Sequence, residues 1–253
     1  MNIIVCVKEA VDLEQVRVNE STREPTLEGL PLEIEDLSKN AAEEAVRQKE
    51  QHGGTVVALA AGLPTLKKTI REVLAMGVDE ARLVLHPSLA TTDPPSIARI
   101  LARAILQTED YGLVLLGEGS ADNFSGLVGP IISETLGLPG VTGVRELKIQ
   151  NGVARCTRDL EDCYEVVEVL LPAVITVTSE INEPRLPSLT DVLKSSRKPV
   201  TELQDLGLKE ENRTRRVKNI APPSSRKGVL FQGEAGEAVK SLLEALRRDG
   251  VLT

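Results

Sequence analysis

Between Gly117 and Gly126 the chain reads Gly-Glu-Gly-Ser-Ala-Asp-Asn-Phe-Ser-Gly. This stretch leaves an apolar run, Leu113 to Leu116, and enters a helical pattern over Leu127 to Leu136. Glycines let a backbone approach a ligand closely, and a helix start offers unbonded N–H groups to an anion. Ser120 and Ser125 add hydroxyl donors. The spacing is neither a Walker A loop nor a Gly-x-Gly-x-x-Gly fingerprint. It suits a phosphate or adenosine cradle. It also suits a plain glycine-rich connection with Ser125 capping the helix, and residue types leave both readings open.

Other reactive side chains are sparse. Cys6, Cys156 and Cys163 lack Cys-x-x-Cys spacing, which argues against a disulfide framework or a thiolate cluster. His52 and His86 are the only histidines, so a histidine-rich metal centre is excluded. No Ser-His-Asp or Cys-His system is visible. Glu43 and Glu44 fall in a helix whose apolar face is alanine, and they read as a solvated face. Asp159, Glu161 and Asp162 read as a charged turn. Cys6 ends an apolar strand, where it serves either as a ligand contact or as a small buried hydrophobe. Asn182-Glu183-Pro184-Arg185-Leu186-Pro187-Ser188-Leu189 is a proline-restricted loop carrying exposed leucines. Either the leucines dock a partner or they anchor the loop on its own domain.

Composition narrows the classes further. The 253 residues carry a net charge of −8, which argues against a nucleic-acid binder. Aromatics are only 2% with no Trp, so a base-stacking surface is excluded and the core must be aliphatic. The opening MNIIVCVKEA charges too early for a signal peptide, and no run of about 20 apolar residues occurs. A cytoplasmic chain without a membrane span is expected.

The elements that would position these groups alternate. Ile3 to Val7, Thr55 to Ala61, Ala81 to Leu85 and Leu113 to Leu116 read as buried strands. Helical stripes lie between them at Ala41 to Val46, Leu66 to Leu74 and Ile97 to Ile105. Alternation of this kind means right-handed βαβ units and a parallel sheet, with ligands outside the carboxyl ends of the strands. Leu147 to Gln150, Asn151-Gly152 and Val153 to Thr157 form a hairpin signal. Two more strands follow, at Tyr164 to Leu171 and Ala173 to Thr178. A short helix is expected over Leu189 to Leu193. From Pro199 the chain turns polar and reads as an extended arm, ending in a helix marked by Ala238, Leu242, Leu243 and Leu246.

These segments resemble the β subunit of electron transfer flavoproteins nearly end to end. NIIVCVKEAVD is similar to the family's first strand, and AAEEAVRQKE and VLAMGVDEA to two recurrent segments. LPAVITVTSEINEPRLPSLTDVLKSSRKP is similar to its signature strand, Asn-Glu-Pro-Arg loop and lysine-rich helix. DLGL and the Pro-Pro before the final helix also fit. The resemblance implies a parallel-sheet, adenine-nucleotide-binding (Rossmann-like) α/β domain with a hairpin insertion over residues 1–198. An arm over 199–253 would dock on a partner α subunit. It implies an electron carrier and not a free-standing enzyme, with FAD held mainly by the α subunit. AMP, or a second FAD in bifurcating members, would sit in this chain.

Carried over by position, the nucleotide site comprises Cys6, Asp36, Leu37, Ser38, Ala61, Gly117, Gly119, Ser120, Asp122, Asn123, Phe124, Ser125, Gly126, Leu127 and Val128. Partner docking would use Asn182, Pro184, Arg185 and, as anchor, Leu189, on a loop over 182–193. The partners implied are acyl-CoA dehydrogenase-type flavoenzymes and a quinone reductase or other acceptor. Asp159 would meet an arginine of the α subunit. The chain departs from the family at Glu35-Asp36-Leu37, where Asn-Pro-Phe or Asn-Pro-Tyr is usual, and at Glu118, where a cation is usual. A stand-alone adenine-nucleotide module or hydrolase on the same fold is the alternative, but it lacks a nucleophile and a phosphate-loop lysine.

Overall fold

The computed structural model describes residues 1–108, 110–204, 212–223 and 228–252. The chain forms two compact units, residues 1–17 with 26–218 and residues 18–25 with 219–253.

The larger unit opens with β1 (Asn2–Cys6), whose Ile3, Ile4 and Val5 are all buried. An unbroken apolar run is what a strand covered on both faces requires. A small antiparallel ladder pairs β2 (Glu9–Val11) with β3 (Leu32–Ile34). Helix α1 (Asp36–His52) stops at Gly53, where φ is +70°. Next come β4 (Val56–Gly62), then α2 (Leu66–Thr69) and α3 (Arg71–Met76), one apolar stripe interrupted at Ile70. Strand β5 (Glu80–Leu85) leads to α4 (Pro94–Leu106), whose first turn is capped by the Asp93 carboxylate accepting from the Ser96 N–H at 3.0 Å. Strand β6 (Tyr111–Gly117) and α5 (Val128–Leu136) flank the glycine-rich loop. The expected hairpin is present as β7 (Gly140–Gln150) and β8 (Val153–Asp159). Asn151 and Gly152 both take positive φ, 52° and 76°, as a type I′ turn demands. Strands β9 (Tyr164–Leu170) and β10 (Ala173–Val177), helix α6 (Leu189–Ser195) and strand β11 (Val200–Glu202) complete the unit.

Nine strands make one sheet in the order β9-β8-β7-β10-β6-β1-β4-β5-β11. Every pair from β7 to β11 is parallel, and the β8 and β9 pairs are antiparallel. Helices α1 and α3 contribute to the aliphatic core on one face, and α4 and α5 to that on the other. This is the Rossmann-like α/β arrangement expected. From β1 the order runs out through β4 and β5 on one side and resumes with β6 on the other. The switch point therefore lies between the carboxyl ends of β1 and β6.

The sheet reaches further along the chain than polarity indicates. Val200–Glu202 pairs in register with Ala81–Leu83, and the Leu203 N–H donates to the Leu83 carbonyl at 2.8 Å. Val200 and Leu203 pack at the margins of the two cores, and that apolar pair keeps the segment on the sheet edge. Beyond it, the Asp93 carboxylate accepts from the N–H groups of Arg213 and Thr214 at 2.8 and 2.9 Å. The Asp-Leu-Gly-Leu motif at 205–208 and Ser224 and Ser225 lie outside the described residues. In the smaller unit, the Ala221 N–H donates to the Arg23 carbonyl at 2.8 Å, and helix α7 (Ala235–Arg248) exposes Val239, Leu242 and Leu243.

Helix α5 lies so close to β10 that a Cβ on Gly129 would stand 2.2 Å from the Thr176 Cγ2. Gly129→Ala should therefore destabilise the fold by about 1–3 kcal/mol, the scale of an overpacked core. Urea unfolding monitored by circular dichroism measures this, and an unchanged midpoint would show that α5 shifts freely.

Candidate functional site

Four backbone segments meet at the switch point: the ends of β1 and β4, the first turn of α1, and the loop after β6. Cys6 ends β1 beside Leu116 and is buried, and burial alone pushes its thiol up to about 12. It is a neutral, small apolar side chain here. Two residues on, the Lys8 N–H donates to the Ser38 Oγ at 3.1 Å. The Lys8 ammonium donates to the Ser120 Oγ at 2.9 Å and pairs with the Asp122 carboxylate. Lys8 thus bridges the crevice between β1 and β6. Ala61 lies near the end of β4, one strand away, and is half-buried.

Glu35 ties the second side of the site together. Its carboxylate caps α1 by accepting from the Ser38 N–H at 3.0 Å, and it accepts from the Ala121 N–H at 3.3 Å. It is 5% exposed, and burial raises its proton affinity against those hydrogen bonds. Leu37 lies against the end of β6, where a Cβ on Gly117 would come within 2.7 Å of the Leu37 Cβ. Asp36 does not join the loop: its carboxylate is exposed and pairs with Lys39 at 3.2 Å.

The loop itself is a folded turn. The N–H groups of Asn123 and Phe124 both donate to the Ser120 carbonyl, at 3.0 and 2.7 Å. Phe124 takes a φ of 36° and is 60% exposed, and a Cβ on Gly119 would meet its ring at 2.8 Å. Gly126 has a φ of +63°, which a larger residue resists. The Ser125 Oγ accepts from the Leu127 N–H at the long distance of 3.5 Å, and no side chain caps α5 at Leu127. The N–H groups of Val128 and Gly129, with Pro130 carrying none, therefore lie without a side-chain cap at a dipole end suited to an anion.

Beside the loop lies a cleft of about 320 Å³ lined by Leu37, Glu118, Phe124, Asp159, Thr178, Ser179 and Glu180. Burial raises the Glu118 carboxyl, and the charges of Glu180 and Asp159 raise it further. Three carboxylates disfavour a phosphate in that cleft. The groups suited to an anion are Lys8, Ser120, Ser125 and the α5 terminus. Asp159 pairs within its own chain with Arg145 at 3.1 Å, and the Arg145 guanidinium lies over the Tyr164 ring at 4.5 Å.

On the middle turns of α1 the expectation of a solvated face is overturned. Glu43 and Glu44 are 2% and 5% exposed. The loop after β10 covers them: the Arg185 Nε donates to Glu43 at 2.7 Å, and the Asn182 amide donates to the Asn40 carbonyl at 3.0 Å. Helical periodicity registers only the alanine stripe, and the covering loop comes from 142 residues away. Pro184 and Leu189 remain outside this contact, Leu189 77% exposed on α6. Lys8 stands at the strand end where the sequence places a ligand, and Glu118 falls within the loop carried over as the nucleotide site, but neither the partners of Lys8 nor the setting of Glu118 are legible there. Glu35 has no sequence signal as a site residue beyond its place at a helix start.

A mostly parallel sheet whose glycine-rich loop and lysine converge at its switch point defines a Rossmann-like α/β protein. The family model for the electron transfer flavoprotein domain matches residues 27–206. The electron transfer flavoprotein subunit beta of Thermoanaerobacterium thermosaccharolyticum is 35% identical over 262 residues, covering 100% of both chains. That of Bacillus subtilis is 35% identical over 255 residues, 98% of both. The caffeyl-CoA reductase-Etf complex subunit CarD of Acetobacterium woodii is 31% identical over 262 residues, 100% of both. The chain belongs to the electron transfer flavoprotein family, as one of its β subunits.

Burial pushes the Glu43 carboxyl up, but hydrogen bonds from Arg185 and Arg47 outweigh it and hold it below the ordinary value. A carboxylate lowered on folding stabilises above its unfolded pKa, about 4.3, and loses that contribution as pH falls through the folded value. Arg185→Met should therefore cost about 1–2 kcal/mol at pH 7, given its partly exposed guanidinium. The gap to the parent should close below pH of about 4. Parallel urea titrations between pH 7 and pH 3 check this; a gap independent of pH would contradict it.

Proposed function

We propose that the chain works as the β subunit of a heterodimer, carrying electrons between flavin dehydrogenases and a downstream acceptor, and that it holds an adenine nucleotide at the switch point. The observation that carries the nucleotide reading is the convergence of Lys8, Ser120, Gly126 and the uncapped start of α5. Together they supply a cation, a hydroxyl, a close backbone approach and free N–H donors, which is what a phosphate requires. Leu37, Ala61 and Phe124 offer apolar surface for an adenosine moiety. The nucleotide is AMP, or FAD in a bifurcating type. FAD supplies the one- and two-electron chemistry when bound, mainly on the α subunit. The residues of this chain bind, orient and present; none is assigned a chemical step.

The family and its relatives support an α partner and a non-enzymatic carrier role. The exposed leucines on the loop after β10 and on α6 suit brief docking of a protein partner. The segment from residue 199 onward, with the exposed Val239, Leu242 and Leu243 of α7, suits attachment to the α subunit. Asp159 would exchange its contact with Arg145 for an arginine of the α subunit. The absence of any helix among the described residues long and apolar enough to cross a membrane agrees with a chain outside the bilayer, and the cytoplasm is its proposed place.

Two outcomes are expected. Denaturing the purified heterodimer should release AMP, or flavin in excess of one per dimer, and Gly126→Val should lower that occupancy several-fold; chromatography of the supernatant reads both. A protein that releases neither would refute the nucleotide reading. Separately, deleting residues 221–253 should weaken co-purification of the α subunit about tenfold or more while the sheet keeps its circular dichroism. Full-strength pairing of the truncated chain would remove the arm from the interface.

A further inference from the structure

The loop of residues 182–188 lacks helix and strand and contains Leu186, 95% exposed. Leu189, Val192 and Leu193 follow on α6, at 77%, 49% and 65% exposure. Exposed apolar side chains on an irregular segment pull toward collapse, so something must hold the loop out. Two clasps on α1 do so. The Asn40 amide donates to the Asn182 carbonyl at 2.8 Å while the Asn182 amide donates to the Asn40 carbonyl at 3.0 Å. One turn later, Glu43 accepts from the Arg185 N–H at 3.2 Å, Nε at 2.7 Å and one terminal nitrogen at 3.2 Å. Glu50 accepts from both terminal nitrogens, at 2.7 and 3.2 Å.

Glu43 and Glu50 are seven residues apart, two turns along one face of α1, and the planar guanidinium spans them. The arrangement uses Nε and both terminal nitrogens of Arg185. Charge balances locally, because Arg47 donates to Glu43 at 2.7 Å and to the Glu183 carbonyl at 3.3 Å. The Glu43 side chain is 3% exposed, and loss of Arg185 would remove one of its guanidinium partners, leaving Arg47 to hold the buried carboxylate. A buried charge that loses part of its pairing is disfavoured, and this ties the loop to the helix.

Resting on the docking reading above, we propose that Arg185 is a positioning residue and not a partner contact. With Asn182 it is held by Asn40, Glu43 and Glu50, so that the docking loop is ordered before a partner arrives and Leu186 is presented beside the exposed Leu189, Val192 and Leu193 of α6. A loop ordered beforehand loses less entropy on docking.

The test uses the full heterodimer with Arg185→Met, Glu50→Gln and Leu189→Ala. Hydrogen exchange of residues 182–188 in the free heterodimer is read first. Arg185→Met and Glu50→Gln should each speed it about tenfold, and Leu189→Ala should not. Electron transfer with an acyl-CoA dehydrogenase is then followed against its concentration. Both latch variants should raise KM about three- to tenfold, with kcat and flavin reduction by dithionite unchanged. Arg185→Lys should fail to restore the parent KM, since an ammonium cannot bridge both carboxylates. Exchange in 182–188 that stays at the parent rate in Glu50→Gln and Arg185→Met overturns the latch, whatever happens to KM. A raised KM with unchanged exchange would make Arg185 a direct contact instead. If Arg185→Met also loses dithionite reduction it has damaged the fold, and Glu50→Gln, whose carboxylate is half-exposed, then decides alone. If Leu189→Ala leaves KM at the parent value while exchange responds as expected, the latch stands and the docking reading fails.

Discussion

Helix α1 lies against the sheet through Ala41, Ala42 and Ala45, each 0% exposed, and that close approach governs the rest of the molecule. Small side chains bring the helix backbone near the strands, and Gly117 lets its first turn touch the end of β6. A helix so near a sheet cannot keep its flanks in solvent. Ser38, Asn40, Glu43 and Glu44 are buried along it and need polar partners. The fold supplies them from opposite directions. Lys8 and the loop after β6 serve the first turn; the loop after β10 serves the middle turns. The candidate ligand site and the loop after β10 are thus built on one helix, which keeps both in a fixed relation to the sheet.

Charge is sorted at the carboxyl end of the sheet. Lys8 and the start of α5 make one side favourable to an anion. Glu118, Asp159 and Glu180 make the neighbouring cleft hostile to it, and burial, with the charges of Glu180 and Asp159 added, raises the Glu118 carboxyl. Burial and like charge leave such a cleft suited to a cationic side chain. The net charge of −8 is therefore uninformative about the site, because what matters is which few charges share a low-dielectric crevice.

Docking by a protein carrier calls for contacts that form quickly and release quickly. A small apolar tip on a prepared loop meets that need better than a broad surface, since little area is buried and little order is lost. The clasps on α1 turn Asn182 and Arg185 toward the helix and leave Leu186 outward. This inverts the usual sorting of side chains and requires the inward residues to be fully paired.

The amino-acid sequence determined the alternation of strands and helices, the hairpin and the glycine-rich loop. Each of these rests on interactions among residues near one another in the chain. Unbroken aliphatic runs required buried parallel strands, Asn151-Gly152 required a turn with two positive φ angles, and Gly53 required a helix end. The order of the strands, and hence the meeting of Cys6, Lys8 and Ser120, was settled only by the tertiary structure, because alternation with right-handed crossovers is compatible with several orders. The roles of Glu43, Glu44, Glu35 and Arg185 were decided only in three dimensions. Their partners stand 86 to 142 residues away in the Glu35–Ala121 and Glu43–Arg185 contacts, and a charged residue carries no local mark of what will cover it. The same holds for Val200–Glu202, whose three residues became a strand because an open edge of β5 and two margins of the core were there to receive them.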